Sequence, residues 1–300
     1  MHVLVTGAWQ GYQACKEELH KAGHEIVFLQ WEKNPLPVEP EWVEAIIGNG
    51  IFLSHPIEKF TNLKYIQLTS VGFDRVPMEY IVEHNIKINN ARGVYNIPMA
   101  EYVLGGVLQL YKEFSVFAEN QRKHEWNKIR SIREINLSTV CIVGCGNVGT
   151  ACAERFRAFG AKVIGVDLYP REDENYHSMT GLDNLDEMLA DSDIITITVP
   201  FTDETNKLMN RNRMMLLKEG AVLVNIARGG VMDYDAFIAL KQEGRDILAV
   251  LDVFEQEPLD EKSPLWDMEG VIVTPHNSFV GNGNQNRLNE LIIDNMEKQK

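Results

Sequence analysis

Two doubly wound α/β domains, each built on a parallel sheet, are the fold that this sequence predicts. Three observations carry the prediction. Short apolar runs alternate with amphipathic segments along nearly the whole chain. One of those runs feeds straight into Gly144-x-Gly146-x-x-Gly149 and an alanine-rich helical stretch. A length of 300 residues, with 45% hydrophobic content, is enough for two buried cores.

Taken in order, short strands are expected at 2–5, 25–28, 45–47, 65–68 and 86–89, with helical segments between them, such as 11–21 and 78–84. The opening Val5-Thr6-Gly7-Ala8-Trp9-Gln10-Gly11 has the wrong glycine spacing for a nucleotide loop, and no acid ends the following strand. It reads as an ordinary strand-to-helix turn. Pro98 opens a long apolar segment, 99–114, at a position where proline suits a first helical turn. That segment is expected to link the first domain to the second. Further strands follow at 140–143, 162–166, 194–199, 222–226, 247–251 and 271–274. Helical periodicity returns at 284–298, after the second domain ends. Packed back on the first domain, this helix would make that domain discontinuous. The expected division is 1–97 with 282–300, and 98–281.

The stretch from Val140 to Asp167 is the most specific part of the chain. Val140, Ile142 and Val143 form a β-branched run before the glycines, and Gly160 stands where the helix over 150–159 should end. A second apolar run, 162–166, stops at Asp167. Gly144 permits a tight turn, Gly146 lets a pyrophosphate approach the backbone, and Gly149 lets the helix pack on the strand. The N–H groups and dipole at the helix start receive phosphates. Asp167 stands where an acid would accept the ribose hydroxyls of NAD and repel the 2′-phosphate of NADP. A lone glycine motif is weak, but strand, helix, strand and terminal acid in this order are specific.

A net charge of −14 argues against nucleic acid or an anionic membrane surface as partner. The mildly basic stretch 122–133 is interrupted by Glu125 and followed by Glu134, and it reads as a solvated face. Cys15, Cys141, Cys145 and Cys152 show neither a CxxC pair nor zinc spacing. They read as reduced thiols of a cytoplasmic protein. No apolar run has spanning length, and the N-terminus lacks a basic region before its short apolar run.

Beyond the nucleotide loop, the chain carries Val224-Asn225-Ile226-Ala227-Arg228-Gly229-Gly230, the run 251–259 (LDVFEQEPL) and Thr274-Pro275-His276. In this order and spacing, the set resembles the D-isomer-specific 2-hydroxyacid dehydrogenase family over essentially the whole length. The resemblance implies a substrate cleft between two α/β domains, and hydride transfer between NAD and C2 of a 2-oxo acid. It implies Arg228 as the cation holding the substrate carboxylate and polarising the ketone, a task suited to a planar guanidinium. It implies His276 as acid–base group, since histidine ordinarily titrates near neutral pH. Glu257, the acid preceding Pro258, matches the family's partner carboxylate, while Glu255 and Asp260 do not. Glutamate at this place also argues against the related formate dehydrogenases, which have glutamine there.

By the same resemblance, Gly144, Gly146, Gly149 and the amides of Asn147 and Val148 meet the pyrophosphate. Val199, Pro200 and Thr205 line the adenosine side, although Val199 and Pro200 read equally as a buried strand end. Ile226, Ala227, Arg228 and His276 border the nicotinamide, and Asp252 accepts from its carboxamide. In Ser70-Val71-Gly72-Phe73-Asp74, the amides of Val71 and Gly72 would donate to the substrate carboxylate; the alternative is a plain turn.

Substrate identity is less legible. The segment 48–53, expected to face the substrate tail, has no Arg or Lys for a phosphate. Phe279 after the histidine, and Tyr95, resemble the D-lactate and D-hydroxyisocaproate branch, and both also read as core or interface residues. The leading expectation is reduction of a small 2-oxo acid to the D-2-hydroxy acid. Two alternatives stand beside it: a short phosphoglycerate dehydrogenase, and a non-catalytic NAD(H)-responsive protein of the same fold. A homodimer through the cofactor domain is also expected, with the apolar segment 99–114 as its interface.

Overall fold

The structure, a computed structural model, describes residues 1–299. It divides into two compact units, Met1–Tyr95 with the segment from Gly281 onward, and Asn96–Val280. The first unit contains β1 (His2–Thr6), α1 (Tyr12–Lys21), β2 (Glu25–Leu29), β3 (Ala45–Gly48), β4 (Tyr65–Leu68), α2 (Met78–Glu83) and β5 (Lys87–Asn89). Its strands form one parallel sheet in the order β2-β1-β3-β4-β5. The apolar runs are continuous because both faces are covered. Val3, Val5, Ala45 and Ile47 enter one core, while Leu4, Ile46 and Ile66 enter the other. Trp9, in the turn after β1, is buried and donates its indole N–H to Asn289 Oδ1 at 2.8 Å, as befits a structural turn.

The second unit begins with α3 (Asn96–Tyr111) and α4 (Phe114–Lys123). It continues through β6 (Thr139–Val143), α5 (Asn147–Ala158), β7 (Lys162–Val166), β8 (Ser178–Thr180), α6 (Leu185–Ala190) and β9 (Ile194–Ile197). The remainder is α7 (Arg211–Leu216), β10 (Ala221–Asn225), α8 (Tyr234–Gln242), β11 (Ile247–Leu251) and β12 (Val271–Val273). The parallel sheet runs β12-β11-β10-β9-β6-β7-β8. Its order reverses between β6 and β9, and such a reversal opens a crevice beyond the carboxyl ends of the two strands. Strand β8 has no counterpart in the sequence reading. It is a three-residue edge strand, partly exposed, so no apolar run announces it.

The structure divides the apolar segment 99–114 between two helices. Helix α3 starts at Asn96, with Pro98 in its first turn, and ends at Tyr111. Phe114 opens a separate helix after Glu113, whose φ of 52° is left-handed. Ala100, Val103, Val107 and Tyr111 form the helix's buried stripe within its own unit's core. Exposed apolar residues here are Ile97 on α3 itself and, beyond that helix, Phe114, Val116, Trp126 and Leu137.

Arg133 also departs from the reading of 122–133 as a solvated face. Its guanidinium lies 4.2 Å from the centroid of the Tyr111 ring and donates to Tyr111 Oη and to the Gly220 carbonyl. Arg122, in contrast, pairs at the surface with Glu119. All four cysteines are free and buried, and burial pushes the Cys141, Cys145 and Cys152 thiols up to about 12. The final helix, α9 (Asn284–Glu297), belongs to the first unit. Leu288, Ile292 and Met296, four residues apart, complete that unit's core, and Asn295 Nδ2 donates to Gln67 Oε1 at 2.9 Å. Among the described residues, no helix is long and apolar enough to cross a membrane.

Candidate active site

The glycine loop lies at the switch point of the second sheet, between the end of β6 and the start of α5. Gly144 has φ +96°, and a Cβ there would stand 2.8 Å from the backbone N of Val199, beyond β9. A Cβ at Gly149 would lie 2.1 Å from the Gly144 carbonyl oxygen, so α5 can approach the loop only with glycine at this place. At Gly146 the situation is opposite: a Cβ would meet no atom within 4 Å. That open space lies at the cap of α5, whose first turn contains Asn147 and Val148. The loop thus has room for a phosphate against its backbone and N–H groups to hold one.

Asp167 closes this loop from the end of β7. Its Oδ2 accepts from Cys145 N–H at 2.6 Å and its Oδ1 from Tyr169 N–H at 3.0 Å. A cation stands on the same residue: Arg171 donates from Nη2 to the Cys145 carbonyl at 2.8 Å and also meets Asp173. The other expected cofactor contacts present mainly backbone. Val199 packs on the core and backs Gly144, Pro200 is exposed, and the Thr205 hydroxyl donates to the Pro200 carbonyl at 2.7 Å. The Ile226 and Ala227 side chains are buried in the two cores of the unit.

Three neighbouring strands, β10, β11 and β12, end side by side and deliver the chemical groups to one sheet edge. Arg228 follows β10. Its backbone is fixed by Asn225, which accepts from Ala227 N–H at 3.1 Å and donates to the Arg228 carbonyl at 3.2 Å. His276 follows β12 in a left-handed turn, with φ 51°. Its Nδ1 lies 2.8 Å from Glu257 Oε2, while Glu257 Oε1 accepts from Phe254 N–H at 3.0 Å. The carboxylate is therefore anchored on one oxygen and faces the imidazole with the other. The His276 side chain remains 39% exposed, so the ring is reachable from solvent. Phe279 stands edge-on to it, with ring centroids 5.9 Å apart.

Asp252 follows β11 directly. It has no exposed surface, and its oxygens accept from Thr274 Oγ1, Asn277 N–H and Ser278 N–H.

In the first unit, the Val71 carbonyl accepts from Asn90 Nδ2 at 2.6 Å. Because a trans peptide opposes its C=O and N–H, this bond turns the Gly72 N–H away from Asn90. Tyr95 donates to the Thr69 carbonyl at 2.5 Å, which supports the strand end before that loop. Two residues absent from the sequence reading shape the segment 48–53. Glu32 accepts from Thr6 Oγ1 and from the amides of Asn49 and Gly50, the latter two at 2.7 Å. Arg75, exposed, runs its stem beside Gly50. No sequence signal links Glu32 to residues 17 and 18 positions away.

Residues 104–278 match the family described as D-isomer specific 2-hydroxyacid dehydrogenase, NAD binding domain. The chain is similar to a glyoxylate reductase of Thermofilum pendens, with 33% identity over 78% of this chain and 71% of that protein. It is similar to a D-3-phosphoglycerate dehydrogenase of Methanocaldococcus jannaschii at 32% identity over 81% of this chain, but spans only 46% of that relative's length. Among solved structures, a D-lactate dehydrogenase of Aquifex aeolicus, in complex with NAD and lactic acid, is similar with a TM-score of 0.79. That pair shares 29% identity, covering 97% of this chain and 93% of the other.

Proposed function

Since the chain belongs to the D-isomer specific 2-hydroxyacid dehydrogenase family, NAD-dependent oxidoreductases, we propose that it reduces a small 2-oxo acid to the D-2-hydroxy acid. The observation that carries this reading is the Glu257–His276 pair, 2.8 Å apart, on the same sheet edge as Arg228. Bound NADH supplies the hydride that C2 of the substrate accepts. Arg228 grips the carboxylate and draws charge toward the ketone oxygen. With Nδ1 turned to Glu257, His276 delivers a proton from Nε2 to that oxygen as C2 gains the hydride; the reverse reaction returns both. Glu257 fixes the ring and supports its protonated form. Val71 and Gly72 contribute N–H groups to the substrate carboxylate.

The amides of Asn49 and Gly50 are held by the Glu32 carboxylate, which takes the donors that a phosphate would need. Short, unphosphorylated oxo acids are therefore the expected substrates, and phosphoglycerate chemistry is the alternative. The deciding experiment follows NADH consumption with pyruvate, 2-oxoisocaproate, phenylpyruvate, glyoxylate, hydroxypyruvate and 3-phosphohydroxypyruvate. Oxidation of NADH by none of them would overturn the reductase reading. The highest kcat/KM on 3-phosphohydroxypyruvate would favour the alternative.

Cofactor choice follows from Asp167, whose carboxylate is pinned at the end of β7. A 2′-phosphate beside it meets a like charge, a cost on the order of 1–4 kcal/mol at contact distance. We predict an NADH preference of about tenfold or more in kcat/KM. Asp167→Ala should shrink it, because Arg171 then stands on the loop without the carboxylate. Equal efficiency with both cofactors in the parent protein would refute the assignment.

A homodimer is proposed as well, now through exposed apolar residues at and beyond the end of 99–114. Trp126 is 93% exposed, and Phe114 and Val116 are exposed on α4 of the same unit. Apolar area of this kind commonly marks an interface. Light scattering at micromolar concentration should give twice the mass of 34.1 kDa, and Trp126→Ala should lower it. A monomeric parent protein would end this proposal.

A further inference from the structure

The turn that carries His276 is held by one buried residue, and a tyrosine from a distant helix supports that residue. Asp252 is 0% exposed and captures three consecutive amides. His276 N–H meets its carbonyl oxygen at 2.8 Å, Asn277 N–H its Oδ1 at 2.8 Å, and Ser278 N–H its Oδ2 at 2.9 Å. The turn needs such a grip. A non-glycine residue at φ 51° is strained, at a cost on the order of 1–3 kcal/mol, and persists only where its surroundings over-determine it.

Asp252 Oδ1 receives one more bond, from Thr274 Oγ1 at 2.7 Å. Thr274 Oγ1 in turn accepts from the phenol of Tyr102, on α3, far away in sequence. Burial raises the pKa of that phenol, which keeps it a donor. Tyr102 and Thr274 thus form one line of donors that ends on the Asp252 carboxylate, the first polarising the second. A tyrosine that served packing alone would not require its hydroxyl at this point.

We propose that Tyr102 is a positioning residue: through Thr274 and Asp252, its hydroxyl holds the His276 turn and so keeps the imidazole against Glu257. The kinetic side of this proposal rests on the reading of His276 as proton donor; the structural side does not.

Hydrogen exchange at the amides of His276, Asn277 and Ser278, together with steady-state kinetics, tests both sides. Loss of one hydrogen bond worth about 1 kcal/mol should speed exchange at the turn about fivefold in Tyr102→Phe. The same variant should lower kcat about two- to fivefold with KM for NADH unmoved. Thr274→Val should do at least as much, and Thr274→Ser, which keeps the hydroxyl, should behave like the parent. Adding Tyr102→Phe to Thr274→Val should change nothing further, because the line is already cut. Unaltered exchange in a folded Tyr102→Phe protein, or additive losses in the double variant, would overturn the proposal. A parent inactive on every oxo acid, with exchange still faster in Tyr102→Phe, would remove the reaction and leave the brace. An active parent with unmoved exchange would remove the brace and leave the reaction.

Discussion

His276→Ala is expected to lower kcat for oxo-acid reduction by about 10²–10⁴-fold, the usual range for a positioned acid–base group, while NADH still binds. The two effects separate because the phosphate-binding loop lies after β6, whereas His276 lies after β12, at the far edge of the same sheet. Alanine removes the proposed proton donor and leaves the glycine loop and Asp167 untouched. NADH binding, read by fluorescence titration, should therefore be close to that of the parent. Glu257→Gln gives the companion result. Glutamine can still contact Nδ1, but it carries no charge to support the imidazolium, which is the form that reduction requires. Turnover should then fall, by less than in His276→Ala, with NADH binding again retained. Parental turnover in Glu257→Gln would make Glu257 a bystander. His276→Ala with near-parental turnover would break the whole acid–base assignment.

How much of this was legible in the sequence depends on the range of the interaction concerned. The central strands were legible because parallel strands covered on both faces must read as unbroken apolar runs, such as Val3-Leu4-Val5 and Val140 to Val143. The nucleotide loop was legible because its constraints are local: a Cβ at Gly149 would strike a carbonyl only five residues back. Edge strand β8 was not, since three half-exposed residues carry no pattern. The apolar stripe of α3 was legible as apolar but not by its partner. Sequence periodicity shows that a face must be covered, and only the fold shows that the unit's own core covers it. Interactions made across the sheet edge were the least legible. Nothing near Tyr102 points to Thr274, 172 residues later, and nothing near Asp252 shows that its oxygens are taken by the His276 turn.

Arg228→Lys is expected to lower kcat/KM for the oxo acid by about 10²–10³-fold, despite the retained charge. The guanidinium is presented by a backbone with little freedom. Asn225 ties both Ala227 and Arg228, and a Cβ at Gly229 would lie 2.0 Å from the carbonyl carbon of Phe254, so the chain cannot shift there. The side chain also donates from Nη1 to the Ala227 carbonyl at 2.8 Å, which orients the fork before any substrate arrives. A lysine on this fixed backbone brings a point charge on a flexible stem, with no second prong for the ketone oxygen. Each charge-assisted hydrogen bond lost is worth about 1.5–3 kcal/mol, and the loss of a fork costs one to two of them. Because one prong holds the carboxylate in the ground state and the other follows charge developing on the ketone, KM should rise and kcat should fall together. Steady-state kinetics on the preferred oxo acid separates the two terms. If only KM moved, Arg228 would bind substrate without polarising it. If kcat/KM stayed within about threefold of the parent, well below the loss of a single charge-assisted bond, the cation for the substrate would have to be sought elsewhere.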